Sequence, residues 1–386
     1  MPLNGCEILE EHSPLPHFKL LYKSPDGSAR MGVVQTAHGS FETPAFLPVG
    51  TAGSVKGMTP AELKNLDVKA ILCNAYHLYL RPRHDFIAKR GGLHKFIGWD
   101  RPILTDSGGY QIFSQNLLTK INDEGVLFRS HLDGSTHFLS PEKVIEIEEA
   151  IGADIIMPLD ECLPYGSDYE KTNKSLDRTL GWEIRAKKAQ TRNDQHLYGL
   201  LQGGFYSDLR KKAAETILNI GFDGIAIGGV SVGEPQEEML KVLERVVPII
   251  PDHLPRYLMG VGKPEDIVLA VCRGVDFFDC VLPTRHARTG ELFTSYGEIS
   301  IRNAQYKEDD RPLDRNCSCY TCKNFSRAYL RHLFMAKEIS AIVLNATHNL
   351  YYYVALMKQL REAIQNGTLA QFCKRFFQMR TGGQID

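Results

Sequence analysis

The 386-residue chain has no run of about 18 uncharged apolar residues, so it holds no candidate transmembrane helix. Its first thirty residues carry charges and prolines instead of an apolar core ahead of a small-residue cleavage site, which argues against a secretory leader and for a cytoplasmic protein. There is no internal repeat, no low-complexity tract and no glycine fingerprint of a dinucleotide fold. Net charge is nearly absent too, at -1, which excludes nucleic-acid binding through bulk basicity. What remains is a globular composition, 43% hydrophobic and 24% charged, long enough for one large domain or two ordinary ones.

The near-zero charge hides an uneven distribution. From Arg311 to Asp386 there are 11 Lys and Arg against 4 Asp and Glu, so this end is basic and the remainder acidic. Such polarity suits a localised phosphate-binding surface, and equally the solvated faces of basic helices. The nine cysteines are uneven as well. Cys6, Cys73, Cys162, Cys272, Cys280 and Cys373 stand singly, as reduced thiols do, whereas Cys317, Cys319 and Cys322 crowd into six residues.

Eight short apolar runs recur between helical patterns: Ala45–Val49, Ala70–Asn74, Ile103–Asp106, Asp154–Asp160, Leu197–Gln202, Gly224–Gly229, Arg256–Gly260 and Val275–Asp279. Runs apolar on both faces fit a parallel sheet covered by helices. The intervening stretches Pro60–Leu66, Pro141–Ile151, Ser207–Ile220 and Pro264–Arg273 have helical period. Thr59-Pro60, Ser140-Pro141 and Lys263-Pro264 mark starts, because proline at the first helical position forfeits no hydrogen bond. Eight strand–helix units predict an α/β TIM (β/α)8 barrel, whose chemistry gathers at the C-terminal strand ends. Asn74, Asp106, Asp160, Gln202, Gly229, Gly260 and Asp279 fall there. A single strand-end aspartate is usually a cap or an ion-pair partner, but three at one mouth are hard to explain as packing.

Two additions to the barrel are legible. Phe18–Tyr22 and Met31–Thr36, joined at Pro25-Asp26-Gly27, form a meander over the barrel bottom, and Val126–His131 with Thr136–Leu139 form a hairpin around an Asp-Gly turn.

Three thiolates in Cys-x-Cys-x2-Cys plus one imidazole make a closed tetrahedral zinc site, structural because no position is left for water. A helix over Phe325–Glu338 carries His332, and His348 lies beyond it. Spacing leaves both histidines open as the fourth ligand.

At Thr105-Asp106-Ser107-Gly108-Gly109-Tyr110-Gln111, Asp160-Glu161-Cys162, Gln202-Gly203, Gly228-Gly229, Leu258-Met259-Gly260-Val261-Gly262, Asp279-Cys280-Val281-Leu282-Pro283-Thr284-Arg285 and the cysteine cluster, the sequence resembles the bacterial tRNA-guanine transglycosylases. The resemblance spans roughly Phe18 to Phe377, and seven ordered motifs outweigh any one glycine pair. It implies a barrel with its N-terminal meander over 1–305, a zinc subdomain inserted after the eighth strand over 306–350, and a C-terminal helix region over 351–386 that packs on the barrel. It further implies one structural zinc per subunit, His348 as fourth ligand and a homodimer. The implied reaction exchanges the wobble guanine of a guanine-uracil-N anticodon for 7-aminomethyl-7-deazaguanine (preQ1), in queuosine biosynthesis.

Carried over motif by motif, Asp279 would be the nucleophile and Asp106 the general acid/base. Asp160, Gln202 and the Gly229 amide would grip the guanine edge, Tyr110 and Met259 would sandwich the base, and Ser107, Cys162, Val230, Val232 and Glu234 would complete the pocket. Lys263, Arg285 and Arg288 would meet tRNA phosphates. These roles suit the residue types: one carboxylate can trap an oxocarbenium-like ribose while a second moves a proton to and from the purine. An acceptor facing N1–H and the exocyclic amine, with donors facing O6, is a pattern adenine does not match. The base must leave the stack to reach such a pocket. The stretch Gly228-Gly229-Val230-Ser231-Val232-Gly233-Glu234 departs from the family's usual Gly-Gly-Leu-Ala-Val-Gly-Glu where the 7-substituent is met. Against rivals, a noncatalytic RNA-binding protein on the same fold has no use for the three aspartates together, and a carbohydrate-cleaving barrel has none for the zinc appendage.

Overall fold

The computed structural model describes residues 16–25, 27–114 and 119–381. Cys6 and the Asp26 of the meander turn lie outside the described residues. Eight parallel strands follow one another around a barrel in chain order: β1 (Ala45–Pro48), β2 (Ile71–Asn74), β3 (Ile103–Asp106), β4 (Ile155–Ile156), β5 (His196–Leu201), β6 (Gly224–Ile227), β7 (Arg256–Leu258) and β8 (Phe277–Cys280). β8 pairs with β1, and a parallel bridge between Val49 and Leu72 joins the two ends of the sheet. The Gly50 N–H donates to the Leu72 carbonyl at 2.7 Å and the Asn74 N–H to that of Thr51 at 3.2 Å, extending this seam. Register sets Asn74 beside Asp106 and Asp279 beside Leu47, so the polar strand ends share one mouth.

The barrel interior holds alternate residues of the strands, among them Leu72, Leu104, Ile155, Leu200, Ala226, Tyr257 and Phe277, and continues into Phe18, Val34 and Phe41 of the N-terminal meander. Period two decides this, since one face of each strand points inward and the other meets the helices. The predicted helix starts hold: Thr59 forms a capping box with Glu62, the Ser140 side chain accepts the Lys143 N–H, and helices begin at Pro60, Pro141 and Pro264.

The structure adds elements that the sequence pattern does not display. The meander has a third strand, Gly39–Thr43, and the projecting hairpin becomes a three-stranded sheet through Lys120–Asn122. β4 is far shorter than the apolar run Asp154–Asp160. Buried Glu183 accepts the Leu200 N–H at 2.6 Å, occupying a group that a longer ladder would use. The helix expected over Phe325–Glu338 starts later, at Arg327, because the Ser326 side chain caps it and Phe325 is extended. One long helix, Ile339–Gln365, runs across residue 350 and buries side chains against both the barrel helices and the cysteine-bearing segment. Among the described residues, no helix is long and apolar enough to cross a membrane.

Candidate active site

The mouth of the barrel gathers the three aspartates. Asp279, at the end of β8, receives the Tyr257 hydroxyl at 2.6 Å and the Gly260 N–H at 2.8 Å, both on Oδ1, and no other described residue donates to Oδ2. Burial raises its pKa, and those two hydrogen bonds oppose the rise. Asp106, at the end of β3, is held well above the ordinary carboxylate range, first by burial and then by the charge of Asp279. Its Oδ2 takes a 3.3 Å hydrogen bond from Gln111, and its buried Oδ1 has no partner among the described residues. Both carboxyls are thus pushed toward the neutral form, Asp106 with the added charge of Asp279, and Asp279 with two hydrogen bonds that favour its anion.

Asp160 follows β4 and accepts from Gln202 Nε2 at 2.7 Å. Burial lifts its pKa to about 6, which still leaves it an anionic acceptor at neutral pH. Two glycines admit the pair. A Cβ on Gly109 would stand 2.3 Å from Asp160 Oδ1, and one on Gly229, where φ is +65°, would stand 2.4 Å from Gln202 Oε1. Cys162 adjoins Gln202 and the Gly229 amide, and burial pushes its thiol up to about 12, so it is a neutral wall rather than a nucleophile. Ser107, next to Asp106 in the chain, is buried, while Tyr110 is 53% exposed at the rim. Met259 is partly buried at the end of β7, its sulfur 3.7 Å from where a Gly228 Cβ would be. Val230 is buried and Val232 half-buried. Glu234 accepts the N–H groups of Ser231 and, at 2.8 Å, Val232.

Lys263, Arg285 and Arg288 are exposed just beyond β7 and β8, and no described carboxylate lies within ion-pair distance of them. Three residues escaped sequence reasoning. Tyr257 binds Asp279, Gln111 binds Asp106, and Arg210 sits buried behind Gln202 and Gly229. For Tyr257 a signal existed, since a tyrosine on the inner face of a barrel strand needs a partner for its hydroxyl.

A second centre lies in the C-terminal region. Cys317, Cys319 and Cys322 place their sulfurs 3.7, 3.5 and 3.3 Å from His348 Nδ1. A tetrahedral zinc with ordinary Zn–S and Zn–N bond lengths requires S···N spacings of about 3.6 Å, so the four donors fit that ion. His348 Nε2 donates to the Phe293 carbonyl at 2.7 Å, which turns the Nδ1 lone pair toward the sulfurs. His332 stands exposed on the helix Arg327–Met335, outside this cluster. These four residues could hold a metal ion. His38, His94 and Asp154 also converge, at the barrel bottom. Asp154 there already accepts the backbone N–H of His38 and of Ile103 besides both imidazoles, so the group reads as a strut between meander and barrel.

The family profile described as Queuine tRNA-ribosyltransferase matches residues 26–382. The chain belongs to that family. The queuine tRNA-ribosyltransferase of Halothermothrix orenii is 55% identical over 359 residues, which cover 93% of this chain and 96% of that protein. Its counterpart from Thermoanaerobacter sp. strain X514 is 54% identical over 361 residues, with the same coverage, and the one from Aquifex aeolicus is 53% identical over 373 residues, 94% of this chain and 98% of its own. Membership makes the chain a pentosyltransferase of the tRNA-guanine transglycosylase class, with the eight-stranded barrel and Cys3His cluster as its frame.

Proposed function

We propose that this transglycosylase exchanges the wobble guanine of a guanine-uracil-N anticodon for preQ1 by two displacements at the ribose anomeric carbon. The observation that carries the reading is the pair Asp279 and Asp106: one carboxylate whose Oδ2 meets no donor among the described residues, the other with its pKa raised by burial and by its neighbour's charge. Asp279 Oδ2 attacks the anomeric carbon as the bond to guanine N9 breaks, and the base leaves with the bonding electrons while a proton from Asp106 neutralises it. The incoming base then returns its N9 proton to Asp106 and displaces Asp279, restoring the original configuration.

In the base site, Asp160 accepts from N1–H and the exocyclic amine, while Gln202 and the Gly229 N–H donate to O6. Tyr110 and Met259 cover the two faces of the ring, with Ser107 and Cys162 closing its surroundings. The Val230 carbonyl, oriented by Glu234 through the Ser231 amide, accepts from the cationic aminomethyl group. A charge-assisted bond of this kind contributes roughly 1.5 to 3 kcal/mol. Val232 fills the space that the cyclopentenediol of queuine would need. Lys263, Arg285 and Arg288 bind phosphates around the flipped nucleotide. One zinc at Cys317, Cys319, Cys322 and His348 ties the segment after β8 to the long helix and takes no part in the chemistry. Exposed Tyr320, Tyr329, Met335 and Ile339 supply an apolar face for a homodimer in the cytoplasm.

Incorporation of radiolabelled guanine into tRNA tests the exchange, and its absence with fully folded protein overturns it. Asp279→Asn keeps shape and tRNA binding but should abolish both exchange and the covalent adduct seen on denaturing gels. An undiminished adduct would reassign the nucleophile.

A further inference from the structure

Among the described residues, Arg210 is the one buried cation behind the base site that the mechanism above leaves without a task. It lies on the inner face of the helix Ser207–Ile220 and is 1% exposed, and no described carboxylate lies within ion-pair distance. Its guanidinium spends its donors on backbone carbonyls: Nε to Gly204 at 2.7 Å, Nη1 to Leu201 at 2.5 Å and to Gly228 at 2.8 Å, and Nη2 to Gly229 at 3.3 Å. Burial lowers its pKa to about 10, which still leaves it cationic at neutral pH. An apolar side chain would fill such a position without desolvating a charge, so packing alone does not account for an arginine here.

The identity of those carbonyls supplies the account. Gly228 C=O and Gly229 N–H belong to one trans peptide and point in opposite directions. Arg210 grips the oxygen side, and the N–H side turns toward Cys162 on the pocket wall. Leu201 C=O stands in the same relation to the backbone of Gln202, and Gly204 closes the loop that follows. A cation at the oxygen also polarises the peptide and strengthens its N–H as a donor. Gly229, at φ +65°, has no side chain to fix this peptide, so an outside group must do it.

We propose that Arg210 is the positioning residue of base recognition, setting the direction and donor strength of the Gly229 N–H so that the pocket selects bases bearing an acceptor at the 6-position. The assignment rests on the reading that this N–H meets the base oxygen. It is tested by comparing guanine with 2-aminopurine, which lacks O6 and with it the N1 proton, as free bases competing in the exchange assay and in direct binding to the intact enzyme; the loss at N1 is the same for every Arg210 variant, so only the change in preference on substitution reads the donor. The unmodified protein should prefer guanine. Arg210→Met should weaken guanine about tenfold while changing 2-aminopurine less than about twofold, with tRNA affinity unchanged, because only one base uses the donor. Equal loss for both bases would reduce Arg210 to a structural strut and overturn the assignment. An unmodified protein that binds the two bases equally would overturn the base-site reading itself, and the assignment with it. If Arg210→Met does not fold, Arg210→Lys takes its place. Its single ammonium keeps the charge but cannot span four carbonyls, so guanine preference should fall, and an unchanged preference would refute the proposal.

Discussion

Removing one hydroxyl from the barrel interior tests the division of labour between the two carboxyls. Tyr257→Phe keeps the ring that stacks on Phe277 with centroids 4.7 Å apart and planes 6° from parallel, and deletes only the 2.6 Å bond to Asp279 Oδ1. That bond favours the carboxylate, and burial disfavours it. A hydrogen bond to a charged group contributes roughly 1.5 to 3 kcal/mol, and 1.36 kcal/mol corresponds to about one pH unit. Asp279 should therefore rise by roughly one to two units on losing the hydroxyl, and nearer one because the Gly260 N–H remains at 2.8 Å. The sign follows from its role. The nucleophile must be ionised, so exchange is lost as pH falls through the Asp279 pKa, and a higher pKa moves the acid limb of log kcat/KM upward. The opposite limb, where Asp106 loses its proton, should move little. The assay is guanine exchange into tRNA across the pH range, with thermal melts as a folding control. An acid limb that stays in place, or moves down, would refute the reasoning.

Three further outcomes are expected. A Cys319→Ser, His348→Ala double variant should lose its zinc and melt at lower temperature, and chelation should bring the unmodified protein to the same melting point; normal zinc content in the double variant would remove the claim. Asp106→Asn should abolish exchange yet raise the melting temperature at neutral pH. The native state holds the Asp106 proton above the pH at which the unfolded chain releases it, so stability falls as pH rises from the ordinary carboxylate range toward the raised pKa, and asparagine removes that loss; a melting point lowered at every pH would contradict this. With preQ1 and queuine supplied equally, preQ1 should be incorporated first, and Val232→Gly should gain use of queuine. Preferential use of queuine by the unmodified enzyme would sink the preQ1 assignment.

The parts legible in the sequence were those governed by local rules. Short runs apolar on both faces, set between helical patterns with proline-marked starts, located all eight barrel strands, and the clustering of Cys317, Cys319 and Cys322 marked the loop that could hold a metal ion. Choosing His348 over His332 was beyond spacing, because it depends on how the helix Ile339–Gln365 crosses the loop and on the Phe293 carbonyl that orients the ring. β4 was overestimated for a related reason: Glu183 lies far along the chain from the Leu200 amide it captures, and an apolar run does not reveal that its ladder partner is already taken. Tyr257 and Arg210 likewise act on groups at long range, so only the folded barrel shows what they hold.

The loop 228–234 shows how such long-range partners can build specificity from backbone. Arg210 binds the carbonyl of the Gly228–Gly229 peptide, and two residues later Glu234 binds the N–H of the Val230–Ser231 peptide. A cation on one peptide's oxygen and an anion on the N–H of the next peptide but one hold the two peptides in opposite senses, so the first turns a donor toward the Cys162 wall and the second presents an acceptor. Under the proposed reading, these meet O6 and the aminomethyl ammonium respectively. The departures Val230 and Ser231 alter neither backbone group. Ser231 does adopt φ +61°, a conformation that costs a non-glycine residue roughly 1 to 2 kcal/mol. Its hydroxyl donates to the Gly260 carbonyl at 3.3 Å, and Gly260 is the residue whose N–H binds Asp279. Ser231 therefore ties the loop 228–234 to the loop whose Gly260 N–H binds Asp279.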